Sequence, residues 1–215
     1  MIKIKKNGFT LSEMLITLSV VGLLGVLVLP GLIKDTTSKA SITLLQSTVS
    51  SINDAVQNEI VKTRTTNLDD TDIKKDPEKF FKDKFETIST SSDGTNFPTK
   101  YKNLNNTEKP TPNCSASAIL KNGVSICSHK NTADRIIYID INGNNSPNII
   151  GVDLFAVIIA DKNTDTQHIG DVGGPYLSSD ANIKSNCQNG NVERGAVYCY
   201  YLLEASGFDH NYMKK

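Results

Sequence analysis

The stretch Lys5-Lys6-Asn7-Gly8-Phe9-Thr10-Leu11-Ser12-Glu13, followed by an apolar run to Ile33, decides how this chain is read. From 14 to 33 there is no charge, and the polar side chains are those of Thr17 and Ser19. That is about 20 residues, the length a helix needs to cross roughly 30 Å of hydrocarbon. Lys3, Lys5 and Lys6 precede the run, which predicts a cytoplasmic N-terminus and an exported remainder. Glu13 is the anomaly. An acidic side chain costs roughly 2.5–3.5 kcal/mol at mid-span and less near an interface, and such residues usually have a partner. The run itself offers no cation. Cleavage between Gly8 and Phe9 would create an ammonium about one helical turn from Glu13, in the same chain or in a neighbouring subunit.

These residues resemble a known family. Gly8-Phe9-Thr10-Leu11-Ser12-Glu13 is similar to the processing signal of type IV prepilins and of type II secretion pseudopilins, and the resemblance reaches Gly22 and Pro30, where many type IV pilins carry a glycine and a proline. It implies a leader over residues 1–8, removed by a prepilin peptidase that also N-methylates Phe9. It implies a membrane-spanning and assembly helix over 9–33, with Glu13 as the docking carboxylate and Gly22 and Pro30 loosening the helix. The implied partners are the peptidase, other pilin or pseudopilin subunits, an inner-membrane assembly platform, and the lipid bilayer before assembly. The implied location is the inner membrane, single-pass with the head outside, and then a filament. A secretory signal peptide explains less: the run exceeds an ordinary apolar h-region, and no Ala-x-Ala follows before Asp35. A plain anchor leaves Gly8-Phe9 and Glu13 unexplained.

The chain has 23 basic and 23 acidic residues, a balance that gives no general surface for nucleic acid. The four cysteines are Cys114, Cys127, Cys187 and Cys199. Export favours disulfides. Sequence order favours Cys114–Cys127 and Cys187–Cys199, each closing a short loop worth ~3 kcal/mol in the chain-entropy model. Cys-x-x-Cys is absent, and His129, His168 and His210 are scattered, which argues against zinc.

Beyond the apolar run, Leu45, Val49, Ile52, Val56 and Ile60 recur at helical spacing, with Gln46, Ser50, Asn53, Asp54 and Gln57 opposite. Residues 34–64 are therefore read as an amphipathic continuation of one helix, from Phe9 to about Lys62 and ~80 Å long. Pro30, helped by Gly25 and Gly31, is expected to kink or locally melt it; Gly22 and Gly25 also suit close packing of membrane helices. Residues 65–215 form the head. Asp76-Pro77-Glu78 reads as a helix start, with Phe80, Phe81, Phe85 and Ile88 on one face. The polar stretch 87–113 reads as loop. Asn122-Gly123 marks a hairpin turn. Residues 135–141 and 153–160 read as central strands. Residues 195–206 place Ala196, Cys199, Tyr200 and Leu203 at helical spacing before Gly207, although the tyrosines there also favour a strand. The class is α+β: a pilin-like fold, with a long N-terminal helix packed on a small antiparallel sheet head that carries two disulfides.

One candidate site lies in the head. Asp140, Asn142 and Asn144 place oxygens at alternate positions, as the start of a calcium loop does, and Asp153 closes the set. Asn145 stands where the sharp-turn glycine belongs, and Gly151 where the bidentate acid belongs. A turn-forming loop explains the same composition. The stretch is also similar to a structural element in the heads of many bacterial pilin-like proteins. Beyond calcium no cofactor is expected. There is no nucleophile elbow, phosphate loop or paired His-Glu motif; the segment from Gly170 to Pro175 is glycine-rich but lacks a phosphate-loop lysine. The histidines have no obvious acidic partner in sequence, and the chain is not expected to be an enzyme. The absence of Trp and the two disulfides favour a subunit of a type IV pilus-type filament, a pilin or minor pilin. Major secretion pseudopilins usually carry a Trp-containing calcium segment, which is not found. A type II secretion pseudopilin and a membrane-anchored extracytoplasmic binding module remain the alternatives.

Overall fold

The computed structural model describes residues 8, 10–131, 135–161, 168–174, 182–209 and 211–212. The chain divides into two compact units, Met1–Ser41 and Ile42–Lys215. Helix α1, Leu11–Thr63, contributes to both. The helical backbone continues through Pro30, so the expected local melting does not occur. The Pro30 side chain lies outside the described residues, as does Phe9.

In the first unit, the stretch Leu11–Leu29 is long and apolar enough to cross a membrane, and none of it is buried. Leu18, Val26 and Leu27 are exposed, although they lie on different sides of the helix. Such an all-round apolar helix fits a single-pass membrane anchor.

In the second unit, the stripe of α1 joins the core as its spacing predicts. Leu45, Val49, Ile52 and Val56 are buried, and Ile60 packs against the cluster at its margin. The opposite face is more than solvated polar surface. Asn53 Oδ1 accepts from the Val172 amide at 3.2 Å, and Gln57 Nε2 donates to the Ile169 carbonyl at 3.3 Å. The segment 168–173 is thereby pinned to the helix. Gly170 there has φ +83, and a Cβ on it would meet Ile60 Cδ1 at 2.3 Å.

The sheet has six antiparallel strands in the order β1 (Thr87–Ser91), β4 (Cys114–Leu120), β5 (Ser125–His129), β6 (Ile136–Asp140), β7 (Leu154–Ile159) and β8 (Val172–Gly173). Strands β2 (Lys100–Lys102) and β3 (Glu108–Pro110) form a separate pair. Nearly every residue of β6 and β7 is buried, which requires cover on both faces of the sheet. The β4–β5 hairpin turns at Asn122-Gly123 as expected, with Gly123 at φ +88 and the Asn122 side chain accepting from the Val124 amide. Both expected disulfides are present, Cys114–Cys127 within this hairpin and Cys187–Cys199 between α4 (Ile183–Asn189) and α5 (Val192–Ala205). The fold class is thus α+β, as expected.

Several local expectations need correction. The stretch 87–113 is not all loop, since β1, β2 and β3 fall within it; their polar sequences hide the strands because each has a solvated face or edge. Helix α3 (Pro77–Lys84) starts at the Asp76 cap, but it ends before Ile88, which sits in edge strand β1 and is exposed. Helix α2 (Asp72–Lys75) and the 3-10 turn before it, Leu68–Asp70, carry no periodic signal because they are too short. The C-terminal segment is helical, and it begins at Val192, where Asn191 caps it.

Glu59 interrupts the apolar stripe of α1 and is 2% exposed. The Lys84 ammonium lies 2.8 Å from its Oε2, an ion-pair contact rather than an aligned hydrogen bond, and Lys62 is 3.8 Å away. Breaking a buried pair from one side strands a charge. Lys84→Met should therefore destabilise the head by about 3 kcal/mol, while a combined Glu59→Leu and Lys84→Met variant should recover most of that loss. Thermal melts of the full chain in detergent check this; a Lys84→Met melt equal to the parent's would refute it.

Candidate functional site

The first site is the start of α1. The Thr10 amide and hydroxyl both donate to Glu13 Oε2 at 2.8 Å, and the Glu13 amide donates to Thr10 Oγ1 at 3.3 Å. This reciprocal arrangement is a capping box, which satisfies amide groups that the first turn of a helix otherwise leaves open. The Thr-x-x-Glu spacing was the available signal. The carboxylate also complements the positive end of the helix. Gly22 has nothing within 4 Å of an added Cβ, and Gly25 meets a single atom of Leu29, so neither glycine packs against another part of this chain among the described residues. Gly8 is described and Phe9 is not, so no geometry is assigned to the expected processing junction.

The second site is the loop between β6 and β7. Asp140, at the end of β6, is fully buried. Tyr101 donates its hydroxyl to Asp140 Oδ2, and the Asn142 amide donates to Oδ1 at 3.2 Å. Asp153 Oδ2 accepts from the Ile149 amide at 3.0 Å, and its carbonyl accepts from the Ile141 amide at 3.0 Å. Asn142 Nδ2 donates to the Pro147 carbonyl at 3.3 Å, which folds the loop back on itself. Strand β2 seals the far side, exchanging bonds with the backbone at Asn148 and Ile150.

Two glycines fix how closely the loop is approached. Gly143 has φ +60, and a Cβ there would lie 2.8 Å from the Gly123 carbonyl, so the β4–β5 turn presses on the loop. Gly151 has φ +84, and a Cβ there would lie 2.6 Å from Cys199 Sγ. Tyr212 donates to the Gly151 carbonyl at 2.6 Å. The Cys187–Cys199 disulfide thus forms part of the floor under the loop.

Burial raises the pKa of Asp140 to about 7, against the hydrogen bond from Tyr101, and the nearby Asp153 charge adds to the rise. Burial likewise raises Asp153 to about 6. Tyr101 is pushed up by burial and by the Asp140 charge, so it remains a donor. Of the four expected calcium ligands, the fold brings Asp140, Asn142 and Asp153 into one loop core, while Asn144 is exposed.

The histidines do not cluster. His129 Nε2 lies 3.1 Å from Glu193 Oε1, an acidic partner that sequence distance concealed. The His168 amide donates to Asp171, and His210 lies outside the described residues.

Residues 3–29 match the prokaryotic N-terminal methylation motif, the prepilin-type signal of type IV pilins and pseudopilins. No curated protein and no solved structure matches the chain. The motif supports a pilin- or pseudopilin-like protein in general, a family of structural subunits.

Both head carboxylates hold protons more tightly when folded than the ordinary carboxylate value near 3.8. The folded state therefore binds more protons than the unfolded chain between about pH 4 and 7, and stability falls as pH rises through that window. With a chelator present, the head should melt at a higher temperature at pH 5 than at pH 8, and Asp153→Asn should shrink the difference. A melt that rises with pH, with the Asn variant unchanged, would contradict this.

Proposed function

We propose that the protein is a structural subunit, a pilin or minor pilin, of a type IV pilus-type filament. It is made as a precursor held in the inner membrane, with its N-terminus in the cytoplasm and its head outside. A prepilin peptidase cuts between Gly8 and Phe9 and N-methylates Phe9. The mature chain enters the filament through α1, and the assembly platform inserts it beside other subunits. Exposed apolar residues over Leu11–Leu29 are then covered by neighbouring helices instead of lipid.

The observation that carries the reading is the position of Glu13. It lies inside the matched motif, at the head of a helix whose apolar surface has no cover among the described residues. Among the described residues its side-chain bonds go to Oε2 alone, and both come from Thr10. Oε1 supports an intermolecular bond, for which the Phe9 ammonium of a neighbour is the fitting cation. The missing Trp and the paired cysteines support a pilus subunit over a secretion pseudopilin.

N-terminal peptide mass spectrometry of the protein from its native membrane should find a chain that begins at Phe9 and carries one added methyl. A chain that still begins at Met1, or one cut beyond Ile33, overturns the proposal. Glu13→Ala should leave that processing intact and remove the protein from sheared filaments. Its normal incorporation there would exclude the docking role of Glu13, and processed parent protein that never enters sheared filaments would favour an anchored binding module.

A further inference from the structure

We propose that the loop between β6 and β7 binds one calcium ion, held by the carboxylates of Asp140 and Asp153, the amide oxygens of Asn142 and Asn148, and the hydroxyl of Ser125. The proposal replaces the exposed Asn144 of the alternate-oxygen pattern with Asn148, and it does not depend on the filament reading.

Oxygens without donors gather at this one place. Asn142 Oδ1, Asn148 Oδ1 and Ser125 Oγ are buried with no hydrogen-bond partner. Ser125 is fully buried and lies opposite Asp140 in the β5–β6 register. Its Oγ is 3.5 Å from where a Cβ on Gly143 would stand, so it faces the Asp140–Gly143 turn. Buried polar oxygens are ordinarily bonded, and three exceptions around one loop call for a ligand that accepts lone pairs.

The charge balance points the same way. Asp140 and Asp153 are near enough for one charge to act on the other. Neither forms an ion pair with a lysine, arginine or histidine among the described residues. Uncompensated buried charge is costly, and a bound cation removes that cost. Among the described residues no three His, Cys, Asp or Glu side chains gather, so the set has only two acids and leans on neutral oxygens. That composition suits a hard cation that takes six to eight oxygens, water included, and it does not suit zinc. Tyr101 and the backbone amides of Asn142 and Ile149 already orient the carboxylates, as outer partners of a metal site do.

A cleft of about 330 Å³ reaches one of the proposed ligands, Asn148, and is bordered also by Tyr101, Pro147 and Ile149 and by Lys100 and Lys102. Lys100 is engaged by Glu108 at 3.0 Å, which limits its repulsion of an entering cation. The bound ion would tie β5, β6 and the β7 entry together beside the Cys187–Cys199 disulfide.

The test is calorimetric titration of the full chain in detergent, freed of divalent ions, with calcium chloride and separately with magnesium chloride. The expected result is one saturable calcium site per chain, at least tenfold weaker for magnesium, and a melting temperature that rises with calcium concentration. Asn148→Ala retains both acids; it should weaken calcium at least tenfold while its metal-free melt stays within a few degrees of the parent. Asn148→Asp should restore binding. Absence of saturable calcium binding, or an Asn148→Ala variant that folds and binds like the parent, overturns the proposal.

Discussion

The constraint on which the structure depends is an apolar helical surface that no described residue of the chain covers. Over Leu11–Leu29 no residue is buried. At ~25 cal/mol for each Å² of apolar area, leaving such a surface in water is costly, and its length and composition fit a single-pass membrane anchor. The second half of the same helix solves the problem differently, by burying one stripe in the head core. One element thus carries two solutions to the hydrophobic constraint, and the sequence changes from all-round apolar to periodic where the solution changes.

The head is built to hold that stripe. Strands β6 and β7 are buried almost throughout, and α5 packs on β7. The segment 168–173 is fastened to α1 by Asn53 and Gln57, which belong to the side that periodicity marks as polar. Two short-range disulfides fix the β4–β5 hairpin and the α4–α5 pair, each within units already close in sequence. Their placement reinforces local geometry and leaves the long-range joins to apolar packing and to the loop between β6 and β7.

Legibility followed the strength of local signals. The motif around Gly8 and Glu13, the Asn122-Gly123 turn, the Asp76-Pro77 helix start and the two β-branched strands are each written in a few adjacent residues, and each was readable. The strands within 87–113 were not, because β1, β2 and β3 have polar side chains and gain their structure from partners elsewhere in the chain. Glu59 was missed for the same reason: its cation is on α3, not at helical spacing. The His129–Glu193 pair joins residues 64 apart. The candidate loop was half legible. Alternate oxygens marked Asp140 and Asn142, but Tyr101, Ser125 and Asn148 enter it by folding, and Asn144 leaves it.

Four acidic residues at three places show one cost handled in three ways. Glu59 is buried and has a lysine at contact distance, so the charge is neutralised inside the chain. Glu13 lies where an apolar span begins, and its carboxylate is engaged by Thr10 and the open amide of the first turn. That cap satisfies hydrogen bonding without neutralising charge, and no cation pairs with Glu13 among the described residues. Asp140 and Asp153 have hydrogen-bond donors but no basic partner among the described residues, and they are close enough to repel. A structure that needed only a turn here would gain by replacing Asp153 with Asn, since one amide oxygen could keep the bond from the Ile149 amide at lower electrostatic cost, whereas Asp140 accepts on both oxygens. Glu59 thus has its cation inside the head, whereas the proposed calcium ion and the proposed neighbouring subunit would supply from outside the cations that the other acids lack among the described residues.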